Sequence, residues 1–351
     1  MEFGIFTLMQ QRNSQKSPKT IFSEALEQTV LADELGFTTA WYPEHHFSNY
    51  SMCPSPLVLA AHAASLTKKI RLGAGVIVAP LYHPARLMSE ICLVDILSDG
   101  RLEVGVGYGY QDYEFRRFGV DIKNAKAATH EILDILELGL SGKTFSYSGK
   151  HYQFPESTIS LRPLQKPMPP LWFVGTDPDL FRRAIRGNHS IFTTGFLGNW
   201  KRLGGLRQTI DDICREEGVP TSAAKVAYQR FAFVSDNKRE VEHYVDCARY
   251  QQRLGVSLRR RSESVDNGYM IAEVPFEDEL PFEKMLDNIP VGDAETVIER
   301  LVREIRVMRP RHVAIQTHPG DMDHRTMMKQ IELLGTKILP AVLKEVGGLN
   351  E

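Results

Sequence analysis

Thr38 to Glu90 reads TTAWYPEHHFSNYSMCPSPLVLAAHAASLTKKIRLGAGVIVAPLYHPARLMSE, and the order of patterns in it decides the fold. Thr38 to Tyr42 is a short apolar run that predicts a buried strand, and Pro54 to Leu66 after it predicts a helix. A second apolar run, Ile70 to Ile77, is followed by a helix opened by Pro84, whose fixed φ suits a first helical position. Strands that alternate with helices in this way run parallel, because each helix carries the chain back to the start of the next strand.

The same alternation extends in both directions. Glu2 to Leu8 is a strand, and Pro18 to Leu35 a helix in which Phe22, Ala25, Leu26, Thr29 and Ala32 keep helical spacing before Gly36 closes the end. Leu102 to Val106, Leu171 to Val174, Ser190 to Thr193, Lys225 to Val234 and His312 to Thr317 supply strands four to eight. Helices are predicted near Asp121 to Leu138, Asp177 to Arg186, Trp200 to Glu217, Lys238 to Leu254, Ala294 to Met308 and Met322 to Leu343. Eight strand-helix units in 351 residues predict a (β/α)8 TIM barrel as one domain over 1–351, with a doubly wound sheet as the alternative. Two stretches break the alternation. Residues 143–162 are rich in aromatic, Gly and Pro residues and predict a small β insertion. Residues 255–290 have no period and much charge and Pro, which predicts a mobile lid segment.

Composition narrows the class. With 42% hydrophobic and 25% charged residues the chain is ordinary globular protein, and 42 basic against 44 acidic residues leave no cationic surplus for sequence-independent nucleic-acid binding. The run Arg259, Arg260, Arg261 is short and reads as a solvated loop. No stretch of about 18 apolar residues predicts a membrane span, and the N-terminus shows no secretory pattern, so a cytoplasmic protein is expected. Cys53, Cys92, Cys214 and Cys247 are far apart and form no CxxC pair; they read as small buried apolar residues, with neither a disulfide framework nor a structural zinc site expected.

In a barrel of this kind chemistry belongs at the C-terminal ends of the strands. Glu44, His45 and His46 sit there, after strand two, where a carboxylate and two imidazoles can donate a proton or steer an anion. No HxxxH or HxH lies nearby, so no metal is expected, and the alternative is a histidine that only caps the rim. Gly105-Val106-Gly107-Tyr108-Gly109 lacks the spacing of a dinucleotide fingerprint but lets a flat ring or a backbone approach strand four. Gly73-Ala74-Gly75-Val76 on strand three either leaves room for a ligand or serves close packing. After strand five, Val174-Gly175-Thr176-Asp177 opens a helix whose N-terminus suits a phosphate, although the Asp177 carboxylate repels one and a cation such as Lys126 would have to compensate. Thr194, Arg230, Gln316 and His318 at strand ends six to eight read as background.

Taken together, MEFGIF at Met1, LGFTTAWYPEHHF ending at Phe47, RLGAGVIVAPLYHPARLMSE ending at Glu90, LSDGRLEVGVGYG ending at Gly109 and NIPVGDAETVIERL from Asn288 resemble the bacterial luciferase family of flavin-dependent monooxygenases over essentially the whole chain. The resemblance implies a luciferase-like (β/α)8 barrel that takes reduced FMN from a separate flavin reductase, reacts it with O2 to a C4a-peroxyflavin, and oxygenates a small organic substrate such as an aldehyde or ketone. A branch of the same fold that uses the deazaflavin F420 for hydride transfer is the alternative, and a non-catalytic flavin-binding accessory protein a further one. By position, His45 matches the family's catalytic histidine, with Glu44 and His46 beside it. The resemblance further implies a non-proline cis bond at Gly75–Val76 that, with Ala74, supports the flavin ring. Glu114 matches an acidic residue near the flavin, Lys126 a phosphate-binding arginine, and Val174, Gly175, Thr176 and Asp177 the phosphate loop. Helices Ser55 to Leu66 and Ala85 to Leu97 match dimer-forming helices, so a homodimer is implied. Three positions depart from the family: Gly107 replaces a reactive cysteine, Tyr108 a phosphate-binding arginine, and Asp177 a serine, which implies weak or altered binding of the flavin phosphate.

Overall fold

A computed structural model of the chain describes residues 1–347; residues 348–351 of the expected 1–351 domain lie outside it. Its centre is a closed barrel of eight parallel strands: β1 (Glu2–Phe6), β2 (Thr39–Tyr42), β3 (Arg71–Val78), β4 (Leu102–Gly107), β5 (Leu171–Val174), β6 (Ser190–Thr194), β7 (Lys225–Arg230) and β8 (His312–Gln316). Pairing of β1 with β8, Glu2 opposite His312 through Phe6 opposite Gln316, closes the ring and excludes the doubly wound alternative, which would leave two edges. The helices are α1 (Pro18–Glu34), α2 (Pro56–Leu66), α3 (Pro84–Leu97), α4 (Asp112–Phe118), α5 (Ala125–Leu140), α6 (Pro178–Arg186), α7 (Trp200–Glu216), α8 (Lys238–Arg260), α9 (Phe282–Asn288), α10 (Ala294–Met308), α11 (His324–Leu333) and α12 (Leu339–Val346). Several start by one device: Ser17, Ser55 and Asp177 accept from the amides of Thr20, Val58 and Asp179, with proline in the first turn.

Inside the barrel, aromatic rings fill the space that glycines vacate. A Cβ on Gly73 would lie 2.3 Å from Trp41, and one on Gly105 would lie 2.1 Å from the Ala74 carbonyl oxygen. The Trp41 ring meets Trp172 edge-on with centroids 5.3 Å apart and Phe192 at 4.7 Å, a packed interior rather than a channel. At this depth Gly73 serves close packing.

The small β insertion is present as expected, and two other segments differ from the expectation. Between residues 143 and 162, Phe145–Ser148 pairs antiparallel with Gln153–Ser157. Residues 255–290 are not structureless: α8 continues to Arg260, because Leu254 and Leu258, one turn apart, are buried against Tyr50 and Tyr113. A two-residue hairpin (Val265–Asp266 with Tyr269–Met270) and α9 follow. The seventh strand also ends early, at Arg230; Phe233–Val234 instead pairs with Val291–Gly292 outside the barrel.

The barrel floor carries a buried histidine whose protonation the fold opposes. Trp41 Nε1 donates to His312 Nε2 at 3.0 Å, so that nitrogen must be unprotonated, and burial holds the imidazole down to about 3 from its ordinary 6.5. An unfolded chain binds this proton below pH 6.5 and the folded one does not. The contribution is therefore complete above pH 6.5 and declines as pH falls towards 3, with a slope approaching about 1.4 kcal/mol per pH unit. Urea unfolding between pH 7 and pH 4 is expected to show this decline, and His312→Gln, whose amide oxygen can still accept from Trp41, to flatten it.

Candidate active site

At the C-terminal end of β2 the chain leaves the barrel through Pro43 and presents Glu44, His45 and His46. The Glu44 side chain is buried; one carboxylate oxygen lies 3.0 Å from His46 Nε2, and the other accepts from the Val78 amide and the Tyr82 hydroxyl, each at 3.0 Å. Burial pushes its carboxyl above the ordinary range, against the donors from His46, Val78 and Tyr82. Glu44 thus ties the end of β2 to the end of β3, a structural tether more than a free acid.

His45 faces the other way. Its Nδ1 lies 3.0 Å from Glu114 Oε1, and the same oxygen accepts from the His46 backbone N–H at 2.7 Å. Glu114, in the first half of α4, is 1% exposed. The Tyr50 ring meets the imidazole edge-on at 4.6 Å. A buried carboxylate that accepts from Nδ1–H fixes the tautomer and leaves Nε2 as the nitrogen open to a ligand. Such a pair can take or give a proton at Nε2 while its ring stays in place.

A second polar group forms between β4, α5 and α6. Lys126 Nζ lies 2.8 Å from Asp177 Oδ2 and 2.5 Å from Asp179 Oδ2. Hydrogen bonds that the ammonium donates to Asp177 and Asp179 hold it above its ordinary range. The Tyr108 hydroxyl lies 3.1 Å from His130 Nε2, and burial, then Arg183 and Lys126, lowers the imidazole of His130. The structure therefore brings Lys126 to the loop that sequence spacing could not connect it to, but with its charge already shared by two carboxylates. Thr176 is exposed on that loop and Gly175 takes φ +151°, where a Cβ would lie 3.6 Å from Leu180.

Between the two groups lie Ala74, Gly75, Val76, Gly107 and Val174. A Cβ on Gly107 would sit 3.0 Å from the Val174 oxygen and from Val76 Cγ2; one on Gly75 would meet Phe6, Phe192 and Trp41 at 3.2–3.3 Å. The expected cis bond at Gly75–Val76 is not present: Lys166–Pro167 is the one cis peptide among the described residues. The ladder between β3 and β4 instead shifts register between Ala74 and Ile77, and this bulge re-aims the strand end with trans bonds.

Of the polar residues read as background, Thr194 and Gln316 face the barrel interior and are joined by Gln229, which sequence reasoning passed over. Thr194 Oγ1 donates to Gln229 Oε1 at 2.8 Å, and Gln229 Nε2 to Gln316 Oε1 at 2.9 Å. The signal was the alternation of β7, which puts Gln229 on the same face as Ala227. Arg230 points outward, fully buried against Glu304 on α10, and His318 pairs with Glu24 at 3.2 Å.

Residues 261–279 lie against the His45 side of the mouth. Met270 N donates to Asn49 Oδ1 at 2.9 Å, Arg261 pairs with Asp112 and Arg116 with Glu263 at 2.7 Å each, and Val265 and Met270 pack on Leu8, Tyr50 and Tyr113.

Comparison with known proteins agrees with this geometry. The description "Luciferase-like monooxygenase" matches residues 1–308. Protein y4vJ of Sinorhizobium fredii, itself uncharacterised, is 46% identical over 347 residues, covering 99% of each chain. The oxygenase component of the flavin-dependent trigonelline monooxygenase of Acinetobacter baylyi is 27% identical over 310 residues, 86% of this chain and 85% of that one. The crystal structure of monooxygenase RslO1 from Streptomyces bottropensis superposes with a TM-score of 0.83 over 97% of this chain and 99% of that one, at 20% identity, a likeness of fold. The chain belongs to the luciferase-like monooxygenase family. It is thereby an enzyme of the luciferase-like oxidoreductase class.

The Glu114–His45 contact gives a direct expectation. In nitrogen-15 NMR of histidine-labelled protein, His45 should show the Nδ1–H tautomer, and Glu114→Gln should convert it to a mixture. An Nε2–H tautomer in the unaltered protein would contradict the assignment.

Proposed function

We propose that the protein is the oxygenase component of a two-component flavin-dependent monooxygenase. It would take reduced FMN from a separate flavin reductase and use it with O2 to oxygenate a small organic substrate. The observation that carries this reading is the Glu114–His45 pair at the barrel mouth, in which Glu114 takes Nδ1 and leaves Nε2 for a ligand.

The ring and the phosphate of FMN fit the residues unequally. Ala74, Gly75, Val76, Gly107 and Val174 offer a strand-end shelf of small and apolar groups, suited to a flat ring. On the phosphate side, Lys126 is already bound by Asp177 and Asp179, so a dianion must displace one of two carboxylates and tolerate the other. Tyr108 adds a hydroxyl but no charge. Reduced FMN, when bound, supplies the electrons that activate O2. The remaining work falls to the chain: His45 holds or delivers a proton at Nε2, Glu114 keeps its ring and tautomer, and Glu44 holds the ends of β2 and β3 together. Residues 261–279 cover the His45 side and keep water from it.

The homodimer rests on exposed apolar groups along two neighbouring helices: Val58 (70% exposed) and Leu66 on α2, Leu93 and Leu97 (55%) on α3.

With reduced FMN generated by an unrelated reductase, substrate-dependent oxygen uptake is expected for the unaltered protein, and His45→Ala should lower it by about 10²- to 10⁴-fold while flavin binding changes little. Binding of reduced F420 in preference to reduced FMN would transfer the protein to the hydride-transfer branch. Flavin retained through purification without substrate-dependent oxygen uptake would mark an accessory protein. Asp177→Ser is expected to tighten FMN severalfold relative to riboflavin, by leaving Lys126 with Asp179 as its one carboxylate partner, as titration calorimetry would show. Leu97→Glu should give monomers in sedimentation.

A further inference from the structure

Away from the His45 mouth, α8 and the loop after β8 bring together three side chains that the proposed chemistry does not use. Cys247 Sγ lies 3.2 Å from Asp321 Oδ1 and 4.0 Å from His243 Nε2, and His243 Nε2 lies 3.7 Å from Asp321 Oδ1. Around a tetrahedral zinc-type ion, with bonds of about 2.0–2.3 Å, neighbouring ligand atoms stand roughly 3.4–3.6 Å apart. The three observed separations bracket that value, so side-chain shifts of about half an ångström or less bring the three atoms to it. We infer that His243, Cys247 and Asp321 form a binding site for one zinc-type divalent ion, with a fourth position open to water.

The local fold is shaped for this triangle. His243 and Cys247 stand one helical turn apart on α8 and so share a face. Gly320 brings the loop backbone against the cysteine: its φ is +57°, and a Cβ there would lie 2.7 Å from Cys247 Sγ. Cys247 is buried, whereas the side chains of His243 and Asp321 are 46% and 35% exposed, so an ion can enter from solvent and keep a water ligand.

The surrounding charges favour a cation despite one neighbouring arginine. Arg12 lies 3.7 Å from Asp321 and 4.0 Å from the sulfur, but it also binds Asp246 at 2.6 Å and Glu273 at 3.0 Å. Arg249 is the other cation on Asp246. Arg253 reaches Glu273 at 4.0 Å and pairs with Glu279 at 2.6 Å, so three arginines face the four carboxylates Asp321, Asp246, Glu273 and Glu279. A dication that replaces the thiol proton, which leaves to solvent, brings this set to neutrality. Thiolate, imidazole and carboxylate together select a borderline-soft ion such as Zn²⁺ over Mg²⁺ or Ca²⁺. Bound there, the ion would fasten α8 to the barrel's last loop, and the same helix carries Tyr250, Leu254 and Leu258 towards the His45 side.

The test uses the full chain, without a histidine tag, stripped by chelator and titrated with Co²⁺ and then Zn²⁺. One equivalent of Co²⁺ should give a thiolate-to-cobalt charge-transfer band that one equivalent of Zn²⁺ abolishes, and Zn²⁺ should raise the Tm. Cys247→Ser should lose the band. Because a change at buried Cys247 can harm folding, His243→Gln at the half-exposed position is the second variant: it should keep the apo Tm and weaken Zn²⁺ at least tenfold, as a competing chromophoric chelator reports. Absence of the band, its persistence in Cys247→Ser, or unchanged Zn²⁺ affinity in His243→Gln would each overturn the site. None of these readouts depends on the flavin reading.

Discussion

The constraint on which the rest of the structure depends is the filling of the barrel by Trp41. A ring of that size fits only because Gly73 has no side chain where its edge passes; Gly105 in turn lets the β3 backbone at Ala74 lie close against β4. Once seated, the Trp41 ring meets Trp172, Phe192 and His312, and these close the lower and middle barrel to ligands. Replacing such a ring by alanine in a packed core costs about 3–5 kcal/mol. Function is thereby lifted to the top layer, where Phe6, Val174 and Thr194 are only partly buried and where the loops carry His45 and Lys126.

At that level two carboxylates do opposite things in similar burial. Glu44 spends its oxygens on its own strand ends, through the Val78 amide, Tyr82 and His46. Glu114 comes from α4, distant in sequence, and accepts from His45 Nδ1 and the His46 amide with one oxygen. The first arrangement makes the loop rigid, and the second gives a histidine a defined free nitrogen. Removing one would disturb geometry, removing the other would disturb proton placement.

The barrel was legible because each strand-helix unit writes its own period, and β5 and α10 lie at Leu171–Val174 and Ala294–Met308 as the pattern predicts. What escaped is non-local. Gly255 looks like a helix end, yet α8 runs through it, because Leu254 and Leu258 on either side of it are buried in one cluster with Tyr50 and Tyr113. The short α4 carries too few residues to show a period. Spacing along the chain could not reveal that Lys126 is held by Asp177 and Asp179, nor that Cys247 on α8 meets Asp321 beyond β8. His45 and Glu44 stood out as a cluster, but their division of labour appears only with Glu114, Val78 and Tyr82 in place.

The segment over the His45 side is fastened unevenly. Its rim contacts, Arg261 with Asp112 and Arg116 with Glu263, involve arginines 63% and 48% exposed, and ion pairs this open to solvent are weak and weakened further by salt. Its inner contacts are apolar: Val265 and Met270 rest on Tyr50, Tyr113, Leu254 and Leu258, the last two belonging to α8 itself. Non-directional apolar contacts tolerate sliding, whereas the Met270 amide bond to Asn49 sets one position. The hairpin is thus held by fewer fixed contacts than α8, whose Tyr250, Leu254 and Leu258 share one buried cluster with Tyr50, the ring that meets His45 edge-on.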